Sequence, residues 1–237
     1  DSNQFFGVVG SWYDMLSQLN EKFSNSSKAK SPKYKSNCIN SLPCVYFDGT
    51  DDFLNFPHFP FADTEFTIFI VEKPDLAGSA GPIISPDSFI GGLYESLSIV
   101  ISDNKELFFN QSTSSFYNIF SYQNDNESKA KIHTLTSFFE NKIIQSTIEH
   151  EILYESNNSL TDFPPQGNGA GSGVWGFEKI NSEHNHLLGS GFCNDGSSSS
   201  LKFYKGGIGE IIIYSRSLKA SERRSVQNYL MDKWRID

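Results

Sequence analysis

Phe203 to Ile236, FYKGGIGEIIIYSRSLKASERRSVQNYLMDKWRI, is the stretch from which the fold is read. In its second half Val226, Leu230 and Trp234 recur at four-residue steps, with Arg223, Arg224, Gln227 and Lys233 largely off that stripe. This spacing places the apolar side chains on one face, so it predicts a helix from Ala220 to Trp234 lying across a sheet as a C-terminal cover. The first half belongs to a last hairpin.

Outward from that segment the period changes to two. Short apolar or alternating runs lie at Val45 to Phe47, Phe66 to Val71, Leu97 to Ile101, Leu107 to Phe109, Ile132 to Phe139 and Ile143 to Tyr154, and each reads as a strand. Turn clusters separate them: Asp48-Gly49-Thr50-Asp51, Ala77 to Pro82, Asn124-Asp125-Asn126 and Asn194-Asp195-Gly196. Strands at this spacing suit an all-β sandwich better than alternating helix and strand. Ser24 to Ser36 and Pro164 to Gly173 read as long loops, neither long enough to separate domains, so residues 1–237 are expected to form one domain. A second helix is suggested from Ser11 to Phe23, where Trp12, Leu16, Leu19 and Phe23 keep helical spacing and Ser11 with Asp14 can cap the start.

Composition supports a globular all-β chain. Of 237 residues 38% are hydrophobic and 20% charged, and the 35 Ser, 19 Asn, 21 Phe and 10 Tyr mix turn formers with β-formers. A chain of this length buries about 70 to 75% of its unfolded surface, so a core needs no metal or disulfide staple. With 19 Lys+Arg against 28 Asp+Glu the net charge is −9, which repels phosphate backbones and argues against nucleic acid as a partner. No apolar run reaches the roughly 18 residues of a membrane span, so no membrane insertion by this chain is expected. Around Asp1 there is neither a basic nor an apolar leader pattern, and no targeting segment is read there.

Two segments resemble a known family. Asn37 to Phe56, NCINSLPCVYFDGTDDFLNF, is similar to the early Phe-Asp-Gly-x-Asp-Asp-x-Leu segment of bacterial laminin-G-like domains in the concanavalin A-like lectin/glucanase superfamily. Phe203 to Ile236 is similar to their closing Gly-x-Ile-x-Glu strand, Tyr-x-Arg-x-Leu linker and helix ending in Lys-Trp. Trp12-Tyr13-Asp14 suits the family's early extended segment, which competes with the helix read over Ser11 to Phe23, and His186 to Gly191 suits the strand before the last hairpin. One departure is that Lys219 stands where a capping Ser is usual ahead of Glu222, which weakens the cap by about 0.5 to 2 kcal/mol and leaves tertiary packing to hold the helix. The resemblance implies a two-sheet antiparallel jelly-roll sandwich with a C-terminal amphipathic helix. It further implies an extracellular or cell-surface module, part of a longer secreted or anchored protein, that binds a glycan or a cell-surface protein. An alternative is the head domain of a surface assembly such as a pilin-like fibre, adhesin or phage tail, packed against neighbouring subunits. Fold alone fixes none of these, since one sandwich hosts many activities.

Several constellations carry chemistry. Asp48, Asp51 and Asp52 put three carboxylates around a Gly turn, the hard oxygen donors that calcium prefers, and calcium occurs in relatives of this superfamily. The simpler reading is a turn whose Asp side chains bond nearby backbone amides. Trp175 and Phe177 follow the flexible Gly167 to Gly173 stretch and are candidates to stack on a sugar ring, or else to anchor that loop; Asn194 and Asp195 are candidates for polar ligand contacts. Some superfamily members cleave β-glucans with Glu-x-Asp-x-x-Glu on a strand. The nearest run is Glu149-His150-Glu151-Ile152-Leu153-Tyr154-Glu155, with Glu in the middle and the third acid one place late. On a regular strand Glu149, Glu151 and Glu155 share a face, and carboxyls two residues apart can approach the roughly 5 to 5.5 Å of a retaining pair. A half-buried strand with an acidic solvated face explains the same pattern, and a non-enzymatic chain is expected.

Other chemistry is weaker. There is no Gly-x-Ser-x-Gly elbow, phosphate-cradling Gly-rich loop with Lys, or His-Glu-x-x-His helix. His184 and His186 form a two-His pair lacking a further ligand type. Cys38 and Cys44 can bridge if Ile39 to Pro43 turns, leaving Cys193 over, or all three are buried thiols. Sequons at Asn25, Asn110, Asn126 and Asn157 arise by chance in so Ser- and Asn-rich a chain, and Lys28, Lys30, Lys33 and Lys35 read as a solvated loop.

Overall fold

The computed structural model describes residues 5–13, 22–56, 66–75, 81–86, 97–101, 106–111, 118–123, 129–137, 143–147, 151–155, 186–194 and 199–237. One eight-stranded antiparallel sheet runs β1 (Phe5–Val8), β4 (Lys33–Ile39), β5 (Leu42–Asp48), β18 (Lys205–Tyr214), β7 (Phe66–Pro74), β12 (Lys131–Ser137), β13 (Ile143–Thr147) and β14 (Glu151–Glu155). A second runs β11 (Asn118–Gln123), β10 (Glu106–Gln111), β9 (Leu97–Ile101), β8 (Gly81–Pro86), β15 (His186–Leu188), β6 (Leu54–Phe56), β3 (Lys22–Ser24) and β2 (Ser11–Tyr13). A two-stranded ribbon pairs β16 (Ser190–Asn194) with β17 (Ser199–Phe203), and α1 (Ala220–Trp234) follows the last strand. The architecture is the expected antiparallel β-sandwich closed by a C-terminal helix.

β7 shows why the layers stack as they do. Its run FTIFIVEKP is buried at every position except Lys73, so both of its faces must be covered. Phe69 and Val71 share a cluster with Leu218, Leu230, Trp234 and Ile236, which places α1 on one face. The other alternate set, Phe66, Ile68, Ile70 and Glu72, is buried on the side away from the helix. There Phe47 of β5 lies against Gly189, which links β15 to β16, and meets the Tyr204 ring edge-on at 6.1 Å. Gly189 has φ +85°, and a Cβ would overlap the Phe47 ring, so backbone of the β15–β16 link approaches the first sheet as only glycine allows.

The helix has the predicted bounds but a displaced contact stripe. Arg223, Gln227, Leu230 and Trp234 are buried, while Val226 is half-buried. The displacement has a polar cause. Gln227 Nε2 donates to Thr134 Oγ1 of β12 at 2.9 Å, and Arg223 Nη1 donates to the Leu218 carbonyl at 2.6 Å, so both long side chains enter the interface with partners. At the N-terminus the Lys219 ammonium has no acceptor to offer. The reciprocal half of a capping box survives: Glu222 accepts from the Lys219 N–H at 2.8 Å and is gripped by the Arg216 fork at 2.9 and 3.0 Å.

Four expectations need correction. Ser11 to Phe23 is not one helix: Ser11–Tyr13 and Lys22–Ser24 are paired strands, with Trp12 opposite Phe23, as the family resemblance implied for Trp12. Cross-strand contact between these aromatics, centroids 6.2 Å apart, satisfies the spacing that looked helical. Ile143 to Tyr154 is two antiparallel strands, with Thr147 facing Glu151. Ser24 to Ser36 is not wholly loop, because it holds a 3₁₀ turn at Lys28–Lys30 and the start of β4. Ala77 to Pro82 ends as strand, since Gly81 and Pro82 belong to β8.

Candidate functional site

β5 delivers the acidic turn. Asp48 is its last residue, and Gly49 then takes φ +78°, where a Cβ would stand 2.7 Å from Cβ of Lys205 on the neighbouring strand. Asp48 Oδ1 accepts from the Thr50 N–H at 2.8 Å and from that of Asp51 at 3.4 Å, a side-chain turn of the kind Asp favours. Asp52 Oδ2 accepts from the Asp48 N–H at 3.0 Å. The amide-bonding reading of these residues therefore holds, and it leaves one oxygen of each of Asp48 and Asp52 without a bond in this turn.

The same turn concentrates charge. Ligand oxygens of Asp48, Asp51 and Asp52 lie within 4.8 Å of one another. Asp52 is 3% exposed, and burial pushes its carboxyl up to about 6; the neighbouring Asp48 and Asp51 charges add to the rise, while the Asp48 amide and Lys33 oppose it. Beside the turn, Tyr46 donates to Asp75 Oδ2 at 2.9 Å, Lys205 Nζ stands 3.9 Å from the same oxygen, and Lys35 Nζ sits 4.8 Å over the Tyr46 ring. Burial and the Asp75 bond both raise the Tyr46 phenol, which stays protonated as a donor. The end of the sheet thus presents carboxylates, a phenol and ammonium groups together, donors and acceptors suited to hydroxyl-rich ligands or to a hard cation.

A second polar constellation lies inside and was missed in the sequence. Glu72 is fully buried; its Oε1 bonds His133 Nε2 at 2.8 Å and its Oε2 accepts from the Tyr204 hydroxyl at 2.6 Å. Burial, then the Glu72 charge, pushes the Tyr204 phenol well above its ordinary value. With both carboxylate oxygens engaged and all three side chains at most 2% exposed, this group joins β7, β12 and the β17–β18 link rather than facing a substrate. Its only sequence signal is a charge inside the apolar run Phe66 to Val71-Glu72, which reads naturally as the strand's exit.

The remaining sequence candidates fall as follows. Trp175, Phe177, Asp195, Glu149 and His184 lie outside the described residues. Asn194 is the last residue of β16, opposite Ser199. The regular strand assumed for Glu151 and Glu155 is not found: Gln145 pairs with Tyr154 and Ser146 with Ile152, so Leu153 is an extra residue of β14 between the two acids. His186 is 1% exposed within β15, where His186 pairs in register with Phe56 and Pro86. Cys38 and Cys44 form a disulfide, which settles the alternative left open for that pair. Asn25 is spent internally, donating to the carbonyls of Lys30 and Phe53 at 2.8 Å each. Lys33 and Lys35 lie on β4, and Lys28 and Lys30 are exposed on the 3₁₀ turn. Among the described residues no helix is long and apolar enough to cross a membrane.

No family model and no curated sequence matches the chain. Solved structures do. Domain 4 of AbnA, a GH43 extracellular arabinanase from Geobacillus stearothermophilus, in complex with arabinotriose, is 12% identical with a TM-score of 0.60, over 94% of this chain and 100% of that one. The binding domain of botulinum neurotoxin DC in complex with SialylT is 11% identical, TM-score 0.53, over 93% of this chain and 51% of that one. The CBM40 of Ruminococcus gnavus IT-sialidase bound to α2,3 sialyllactose is 12% identical, TM-score 0.50, over 69% and 82%. At these identities the likeness establishes a shared β-sandwich fold.

Proposed function

We propose that this chain is a non-enzymatic carbohydrate-binding module of laminin-G-like type, acting outside the cell or at its surface. The observation that carries the reading is the match to a complete arabinanase domain: the sandwich covers all of a unit solved with an oligosaccharide bound. The toxin binding domain and the CBM40, each solved with a sialylated ligand, support the same class. The Cys38–Cys44 disulfide supports an oxidising compartment, where such bonds persist. The non-enzymatic part of the reading rests on the departures of Glu149 to Glu155 from the Glu-x-Asp-x-x-Glu pattern, with Glu in the middle place and the third acid one place late.

Two loci are offered for the glycan: Trp175 and Phe177 with Asn194 and Asp195, and the acidic turn beside Tyr46. Calcium at Asp48, Asp51 and Asp52 belongs to the second. Three hard carboxylates within 4.8 Å fit that ion in donor type but fall short of its six to eight oxygens, so carbonyls, water or ligand hydroxyls would complete the set.

Affinity electrophoresis through gels containing soluble polysaccharide tests the assignment. Retardation of the wild-type chain, lost in Trp175→Ala and kept in Asp48→Asn, places the glycan on the first locus; the reverse pattern places it on the acidic turn. Shorter products on incubation with the retarding polysaccharide would overturn the non-enzymatic reading.

A further inference from the structure

The hairpin between β4 and β5 is built unusually. Ile39 faces Leu42 across Asn40 and Ser41, whose φ values of 48° and 68° are those of a tight two-residue turn. The next paired residues are Lys35 and Cys44. Three residues of β4, Ser36 to Cys38, therefore stand against the single residue Pro43 of β5, and proline has no N–H to give a ladder. Backbone pairing is interrupted just behind the turn. The Cys38–Cys44 disulfide, Cα atoms 5.7 Å apart, crosses this gap.

What the turn holds is the end of α1. Asn40 Nδ2 donates to the carbonyls of Trp234 at 2.9 Å and Arg235 at 2.8 Å, groups at the helix terminus that no intrahelical N–H serves. Ile39 and Cys44 share a buried cluster with Leu230, Trp234 and Ile236. Gly207 lies beneath the bridge, where a Cβ would come within 2.7 Å of Cys44 Sγ, so the disulfide rests directly on β18. Cys44 is buried, but Cys38 is only half-buried, which gives a reductant an approach.

We propose that the Cys38–Cys44 disulfide is a redox-sensitive latch that holds the C-terminal helix through Asn40. A dithiol reductant opens it by thiolate attack on Cys38 Sγ. The S–S bond breaks, Cys44 leaves as a thiolate and takes a proton, and a mixed disulfide forms. The second thiol of the reductant then attacks the mixed disulfide, becomes part of the oxidised reductant, and releases Cys38 as a thiol. Two electrons and two protons pass to the protein. With the ladder already interrupted, the Asn40 turn then keeps its pairing at Ile39 and Leu42, the Ile39 packing and the Lys73 bond to the Cys38 carbonyl, but loses its covalent tie to β5, and its amide leaves the helix carbonyls.

Hydrogen exchange on the full chain, oxidised and after dithiothreitol, tests this; counting free thiols confirms that two have been added. The expected result is at least tenfold faster exchange for amides 230–236 on reduction, with amides of β7 and β12 unchanged. Asn40→Ala, kept oxidised, is expected to reproduce the effect at the helix end without any change in thiol count, and reduction should add little to it. Cys38→Ser with Cys44→Ser should show the open pattern with no reductant. Unchanged protection of 230–236 in the reduced chain would overturn the proposal. So would equal loss of protection in every strand, which marks a general staple. If the double-serine chain does not fold, the reduced wild type and oxidised Asn40→Ala decide.

Discussion

Tyr204 donates its hydroxyl proton to Oε2 of Glu72 across 2.6 Å in the interior of the sandwich, while His133 occupies Oε1. Three polar residues from separate parts of the chain thereby engage both oxygens of the Glu72 carboxylate where apolar packing would be the default, while His133 Nδ1 stays without a partner among the described residues. A buried carboxylate tolerates its position only with such partners. Tyr204→Phe keeps the ring and removes the donor, and it is expected to lower unfolding free energy by about 1.5 to 3 kcal/mol in urea denaturation, the range for a bond to a charged group. A loss below a few tenths of a kcal/mol would mean that Glu72 is not held by this bond.

Gly189 tests the contact between the layers. Alanine there suffers both the positive φ of 85° and overlap with Phe47, whereas Gly7 has φ +81° with open space around it. Gly7→Ala is expected to cost about 1 to 2 kcal/mol for the backbone alone. Gly189→Ala is expected to cost a further 1 to 3 kcal/mol or so of overpacking, read as the difference between their urea midpoints at equal slope. Equal costs would show that the Phe47 ring yields freely.

Asp52 makes stability depend on pH in a stated direction. Its folded value of about 6 lies above the ordinary 3.8, so the native state holds the proton more tightly. Its contribution favours folding at low pH and is lost as pH rises from about 4 through about 6. Asp52→Asn should flatten that fall in thermal midpoint and stabilise the cation-free chain at neutral pH. Calcium should add about 2.7 kcal/mol to the unfolding free energy of the wild type at neutral pH and one hundred times the dissociation constant, seen as a higher midpoint, and less as the proton competes. No rise at millimolar calcium would remove the ion from the proposed site.

Glu222 behaves in the opposite sense. The Arg216 fork, then the Lys219 amide, hold its carboxyl down at about 2 against an ordinary 4.5. Its support of the helix start is complete above about 4.5 and is lost as pH falls towards 2. Protection factors of amides 223–226, referred to the intrinsic exchange rate at each pH, should fall over that range in the wild type, and Glu222→Gln should show no such step. A step of equal size in the variant would assign it to another group.

What was legible in the sequence was whatever repeats locally. Leu97 to Ile101 and Ala220 to Trp234 match their elements residue for residue because β9 and α1 are set by periods of two and about 3.6. Trp12 and Phe23 show the limit: eleven residues apart, they satisfy a helical period and equally a cross-strand pair, and strand pairing decides. The Ile143 to Tyr154 run hid a reversal that its apolar pattern does not mark. Asp48 and its neighbours were visible as a turn because Asp, Gly and Thr act on adjacent amides. Glu72 was invisible because its partners lie 61 and 132 residues away, and the Asn40 latch because its acceptors lie 194 and 195 away. Tertiary partners at such distances leave no mark in a local window.

The measurement that bears most directly on the central claim is a glycan array probed with the intact, oxidised chain, with arabinotriose and α2,3-sialyllactose among the printed sugars. The account predicts saturable binding to at least one glycan, competed by the same free sugar and weakened tenfold or more by substitution at one of the two proposed loci. Absence of binding to every glycan, by a chain whose circular dichroism shows it folded with and without calcium, would contradict it.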